Sequence, residues 1–131
     1  METITHLSQA HDAIIHALNA GTSPGGLPAA QLLERETLTL YFYEPRGIDH
    51  QPPHDQDEVY VIVAGSGSFA IGNDDSSLRR FSFSRGDAIF VPAGAVHRFE
   101  DFTDDFATWV IMYGPQGGEK PTRTTPAPQQ H

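Results

Sequence analysis

GIDHQPPHDQDEVYVIVAGSG, residues 47–67, is the stretch whose reading decides the fold. His54 and Glu58 stand four residues apart in it, separated by Asp55-Gln56-Asp57. In extended chain that gap is about 13 Å, too far for both side chains to hold one ion. Asp-x-Asp, however, is turn chemistry, because short acidic side chains bond back to their own backbone. A turn there places His54 at the end of one strand and Glu58 at the start of the next. From Glu58 to Val63 the chain is strongly β-forming and apolar on both faces. Both faces are therefore expected to be covered, one by a lumen and the other by a second sheet, a helix or another subunit. Tyr60 and Ile62 share the face of Glu58 and are expected to line that lumen.

A second stretch, GDAIFVPAGAVHRF from Gly86 to Phe99, supplies the partner. Its apolar strand 88–91 meets the breaker Pro92-Ala93-Gly94, and His97 follows the reversal. Two hairpins thus each deliver an imidazole or a carboxylate at a strand end. The expected metal ligands are His54, Glu58 and His97. Two histidines and one carboxylate that leave open positions form the facial arrangement of non-haem Fe(II) sites, but the same ligands serve Mn, Ni, Zn or Cu. One divalent transition metal is the expected cofactor, with its identity left open.

The two stretches resemble the paired motifs of the cupin superfamily. His54, Glu58 and Gly65 match the second half of the first motif, while Gly86, Pro92, Gly94 and His97 match the second motif at every spacing. Asp101 stands where that motif usually has Asn, Pro52 falls where the family's first His is usual, and Gly47 is one residue closer than the pattern asks. The resemblance covers about residues 31–113. It implies an all-β, cupin-type double-stranded β-helix, a jelly-roll barrel. It also implies a metalloenzyme with dioxygenase-, isomerase- or lyase-like chemistry on a small polar molecule in the lumen. The alternative is a non-catalytic cupin that binds metal or sugar. A homodimer is a further implication. Fold analogy does not choose among these chemistries, but a position vacated at Pro52 suits a catalytic site, which needs open coordination for substrate and O₂ or water.

Around the ion, His50 and Gln51 are candidates for an additional ligand or a substrate contact. His50 reaches the metal only if Pro52-Pro53 kinks the chain back, and Gln51 only through a bulge. Tyr60 is the candidate catalytic residue, orienting a substrate or donating a proton; the alternative is a structural phenol bonded to backbone. Asp101 either supports a ligand histidine or belongs to the acidic loop 100–105. Arg35, Tyr41 and Tyr43 complete the candidate substrate contacts.

Composition limits the partners. The chain has 131 residues, a formal charge of −9 and no cysteine. Its acidity argues against nucleic acid and against an anionic membrane surface, and the absence of cysteine removes disulfides, Cys-ligated zinc and a thiol nucleophile. The N-terminal stretch lacks the pattern of a signal peptide and no run reaches the ~20 apolar residues of a membrane span, so a cytoplasmic location is expected.

Elsewhere, residues 5–20 read as one amphipathic helix with Leu7, Ile14 and Leu18 on a stripe, Thr5 or Ser8 as cap and Asn19-Ala20-Gly21 as stop. A strand is expected over 48–54, bent by Pro52-Pro53. In all, roughly eight or nine short strands at turn spacings of about 8–12 residues indicate a sandwich or barrel. Residues 1–28 are therefore assigned to the helix and linker, 29–114 to the barrel, and 115–131 to a flexible tail rich in Pro, Gly, Thr and Gln.

Overall fold

The computed structural model describes residues 3–122. Strand β3 (Asp57–Ala64) runs down its middle, and period-2 alternation sends Glu58, Tyr60 and Ile62 inward, all essentially inaccessible to solvent. With β1 (Ala29–Glu34), β2 (Thr39–Tyr43), β6 (Ala88–Val91) and β8 (Ala107–Tyr113) it makes a five-stranded sheet in the order β1-β2-β8-β3-β6. The facing sheet has three strands, β5 (Arg79–Ser84), β4 (Ser66–Gly72) and β7 (Val96–Glu100), in the order β5-β4-β7. All pairings are antiparallel. This is the all-β jelly-roll sandwich with one N-terminal helix, α1 (Leu7–Ala20).

The interior between the sheets is aromatic: Tyr60, Phe69, Phe83, Phe99 and Phe106 lie in one cluster with Ile62, Val91 and Val110. Phe99 stacks edge-on or tilted against four of these rings at centroid distances of 4.6–5.3 Å, the offset geometries that ring quadrupoles favour. Gly65, the single residue between β3 and β4, has φ +86, and a Cβ there would come within 2.6 Å of Thr103 Oγ1 and 2.7 Å of Phe106 Cα. No side chain fits that corner, which accounts for glycine at this position of the first motif.

Helix α1 lies mainly on the β1–β2 end of the large sheet, where Ala10 and Ile14 pack with Ala30, Phe42 and Ala107. The expected stripe needs correction: Ile14 is buried, but Leu7 and Leu18 are 42% and 44% exposed. Small Ala10 takes the central place because the helix lies close to the sheet. The cap is also different, since the backbone N–H of His6 donates to Gln9 Oε1 at 2.7 Å; Gly21 ends the helix in the left-handed region, as expected.

Two further expectations change. Residues 48–54 form no strand; Pro52 and Pro53 have no amide hydrogen to offer a ladder, and the segment crosses the barrel mouth as irregular chain. The segment from 115 is also not free of the barrel along its whole length. Gly117 N–H donates to Asp55 O at 2.7 Å, Glu119 N–H donates to Asp57 Oδ2 at 2.9 Å, and Gln56 Nε2 donates to Gly114 O at 2.9 Å. Residues 123–131 of the expected tail lie outside the described residues.

Candidate metal centre

Three loops and strands converge at one end of the lumen. Glu58 comes from the start of β3 in the large sheet, His97 from β7 in the small one, and His54 from the irregular segment before the Asp55–Asp57 turn. The two motif stretches are bonded directly to each other: Gly94 N–H donates to His54 O at 2.7 Å and Ala93 N–H to Asp57 Oδ1 at 2.9 Å. The turn thus fixes His54 and Glu58 of the first stretch against the Pro92-Ala93-Gly94 reversal of the second.

The result is a cluster in which one donor atom from each of His54, Glu58 and His97 lies within 4.8 Å of the others. Glu58 and His97 are 0% and 3% exposed. His97 Nε2 stands 2.9 Å from Glu58 Oε1, a contact that is attractive when His97 is protonated. Neither Glu58 oxygen nor His54 Nε2 has a hydrogen-bond partner. Buried polar atoms are almost always satisfied, and a carboxylate with both oxygens unpaired is costly. Donors left bare, of types that bind divalent ions and aimed at one point, fit a cation. His97 Nδ1 lies 2.9 Å from Ala95 O; donation there leaves Nε2 as the lone-pair nitrogen facing the cluster.

Electrostatics follow the burial. Burial holds the His54 imidazole below its ordinary pKa, against the opposing pull of Glu58. Burial also pulls His97 down, but the adjoining Glu58 carboxylate more than offsets it and the net shift is upward. Burial, with the charges of Glu58 and Asp49, pushes the Tyr60 phenol well up.

The other sequence candidates separate. Tyr60 is fully buried, with its hydroxyl 3.1 Å from His97 Nε2 and donating to Gln51 Oε1 at 3.0 Å. Gln51 therefore reaches the site by its amide, without a strand bulge. His50 is exposed and outside the cluster, between Asp49 and Gln51, whose side chains bond inward to Phe99 and Tyr60. Asp101 is an exposed turn residue at φ 50, and Arg35 is exposed. Tyr43 donates to Asp49 Oδ1 at 2.6 Å, and burial followed by that neighbouring carboxylate raises its pKa.

Asp49 was missed by reading the sequence. It is 7% exposed and accepts four hydrogen bonds: from Tyr43 Oη, from Phe99 N at 2.9 Å, and from Gln51 N and Nε2 at 3.1 and 2.9 Å. The available signal was parity, since Asp49 and Gln51 alternate with His50 and share the inward side.

A two-sheet jelly roll that gathers a His/Glu/His cluster at one end of its lumen defines a metal-site cupin domain. The model of the ARD/ARD' family matches residues 35–117, and the chain belongs to that family. An uncharacterised protein of Streptomyces coelicolor is 32% identical over 80 residues, which cover 61% of this chain and 71% of that protein. Acireductone dioxygenase of Gallus gallus is 44% identical over 67 residues, 51% of this chain and 37% of that enzyme. The enzyme of the same name from Tuber melanosporum is 35% identical over 60 residues, 46% of this chain and 35% of its own length. The chain thus matches little more than a third of either dioxygenase. Among solved structures, a Photorhabdus luminescens protein superposes with a TM-score of 0.61 at 20% identity, covering 87% of this chain and 89% of that one. The DMSP lyase DddQ of Ruegeria pomeroyi gives 0.55 at 21% identity, covering 66% and 46%. These two share the fold. Among the described residues, no helix is long and apolar enough to cross a membrane.

Proposed function

We propose that this chain holds one divalent transition metal through His54, Glu58 and His97 and acts as a dioxygenase on a small acireductone-like molecule. The observation that carries the reading is the buried cluster of bare donors, His54 Nε2 and both Glu58 oxygens, beside His97. Family membership and the acireductone dioxygenases among the relatives support the same chemistry. The ion, when bound, supplies a Lewis acid for the substrate's oxygens and a redox centre for O₂. The chain's own contribution is orientation and exclusion of water. Ala95 O orients His97, Asp49 orients Gln51, and Gln51 fixes the Tyr60 hydroxyl at the edge of the site. Tyr60 is the residue proposed to touch the substrate. The phenyl rings of Phe69 and Phe99 close the floor beside it.

The test is O₂ uptake by metal-reconstituted protein supplied with an acireductone under anaerobic generation and then air. Uptake that depends on substrate and on metal, and is lost in Glu58→Ala, is expected. A second reading, a cupin that binds metal without turnover, is favoured by how tightly aromatic rings fill the lumen; stoichiometric metal with no uptake above the uncatalysed rate would establish it.

The proposal includes a cytoplasmic homodimer. Its support is the outer face of the large sheet, where Phe90 is 55% exposed and pairs in register with Val59, which in turn pairs with Ile111. Helix α1 packs mainly on β1 and β2, and apolar patches of this kind mark association surfaces. Sedimentation of the wild type and of Phe90→Lys tests the dimer, and cell fractionation tests the location.

A further inference from the structure

Pro52 leaves one position of the usual cupin ligand set without a donor, and the fold brings a phenol hydroxyl beside the cluster. Tyr60 Oη lies 3.1 Å from His97 Nε2, and Glu58 Oε1 lies 2.9 Å from the same nitrogen. With metal–ligand bonds of about 2.1 Å, neighbouring donors on one ion stand roughly 3 Å apart. Both separations match those of adjacent ligands, and without an ion the first is a hydrogen-bond distance. The Tyr60 hydroxyl is fully buried, and its hydrogen points away from the cluster, toward Gln51 Oε1 at 3.0 Å. That leaves an oxygen lone pair on the side of His97.

The direction of the hydrogen is not left to chance. Gln51 Nε2 donates to Asp49 Oδ2 at 2.9 Å, which forces the amide oxygen toward Tyr60. Asp49 is held in turn by Phe99 N, from the strand that carries His97, and by Tyr43 from β2. A buried carboxylate with four donors and no cation against it among the described residues is an acceptor anchored from both sheets.

We propose that Tyr60 Oη is a fourth donor to the ion, in place of the ligand missing at Pro52, with Gln51 and Asp49 as its positioning residues. The inference rests on the reading that His54, Glu58 and His97 hold a metal. A neutral phenol is the weakest donor of the four. It would give way first to a substrate oxygen, and its hydroxyl would then stand within hydrogen-bond reach of that substrate.

Iron-loaded protein tests this without turnover. Fe(II) is bound anaerobically and oxidised by ferricyanide, with one electron passing to ferricyanide and the phenol proton passing to buffer. A phenol on Fe(III) becomes a phenolate with a visible charge-transfer band, whereas a phenol outside the coordination sphere gives none. The wild type is expected to show the band. Tyr60→Phe should bind Fe(II) about 10-fold more weakly and lack the band, and Tyr41→Phe should keep it. Asp49→Asn should shift the band's energy, because the Gln51 amide turns and presents an N–H instead of its carbonyl oxygen to the phenolate. If that variant does not fold, Gln51→Leu carries the same expectation. Iron bound by the wild type with no band overturns the Tyr60 assignment alone, and a band unmoved by both Asp49→Asn and Gln51→Leu overturns the positioning role. Failure to bind iron at all overturns the metal reading as well.

Discussion

Asp57 bridges two segments that flank the site: its Oδ1 accepts the N–H of Ala93 at 2.9 Å, and its Oδ2 accepts the N–H of Glu119, also at 2.9 Å. One buried carboxylate thereby ties the His54–Glu58 turn to the reversal before His97 and to the chain after β8. Gly118 is part of the same joint, since a Cβ there would approach Asp57 Oδ1 to 2.6 Å.

Asp57→Ala should therefore cost stability and metal together. Each amide left without its acceptor costs about 1–3 kcal/mol if it stays buried. Urea denaturation should show a loss of that order, and titration of the same variant should show weaker metal binding because the turn no longer seats His54. Unchanged affinity with lowered stability would mean that the joint supports the fold only.

Shortening the chain at Gly114 should destabilise it relative to shortening at Thr122. The first cut removes the bonds from Gly117 to Asp55 O and from Glu119 to Asp57. The expected difference is about 1–3 kcal/mol, measured by denaturant midpoints at constant slope. Equal stabilities would show that the 115–122 segment adds nothing.

Alanine at His54, Glu58 or His97 should abolish stoichiometric metal, read by elemental analysis of protein purified without chelator. His50→Ala should leave it intact, because His50 is exposed and outside the cluster. Metal retained in a Glu58→Ala/His97→Ala double variant would displace the site from this end of the barrel.

Acidity should separate the two histidines of the metal-free protein. His97 is raised above 6.5 on balance by Glu58, so its pairing stabilises the fold fully below about 6.5 and this contribution is lost as pH rises through the raised value. His54 is lowered from 6.5 by burial, and its neutral form stabilises the fold above about 6.5, a contribution lost as pH falls toward the lowered value. An ion must replace the His97 proton, so apparent metal affinity should climb as pH rises above 6.5. Histidine ring NMR signals followed against pH check both directions, and coincident titrations would contradict the geometry.

Much of this was legible in the chain because it rests on local patterns. The alternation of β3 and the Pro92-Ala93-Gly94 reversal are short-range signals, and they placed Glu58 and His97 correctly at strand ends. Periodicity could not show that Leu7 and Leu18 would stay exposed, because the covering of α1 depends on how far the large sheet extends beneath it. Nor could it show the joint at Asp57, which pairs residues far apart in sequence. Asp49 was hidden for a related reason: its four donors come from β2, β7 and its own loop, so its role exists only once both sheets face each other. The strand expected over 48–54 failed at Pro52-Pro53, where missing amides outweigh the alternation around them.

The order of strands has a further consequence in time. β2 pairs with β8, Thr39 opposite Met112, and His54 bonds Gly94 across the fold. Contacts this distant close large loops before they repay the entropy, so the barrel should reach its native state slowly. The donors proposed for the ion should come together only at that late stage. Bound metal should therefore act on the escape rate, prolonging the lifetime of the native barrel while leaving the rate of its formation nearly unchanged.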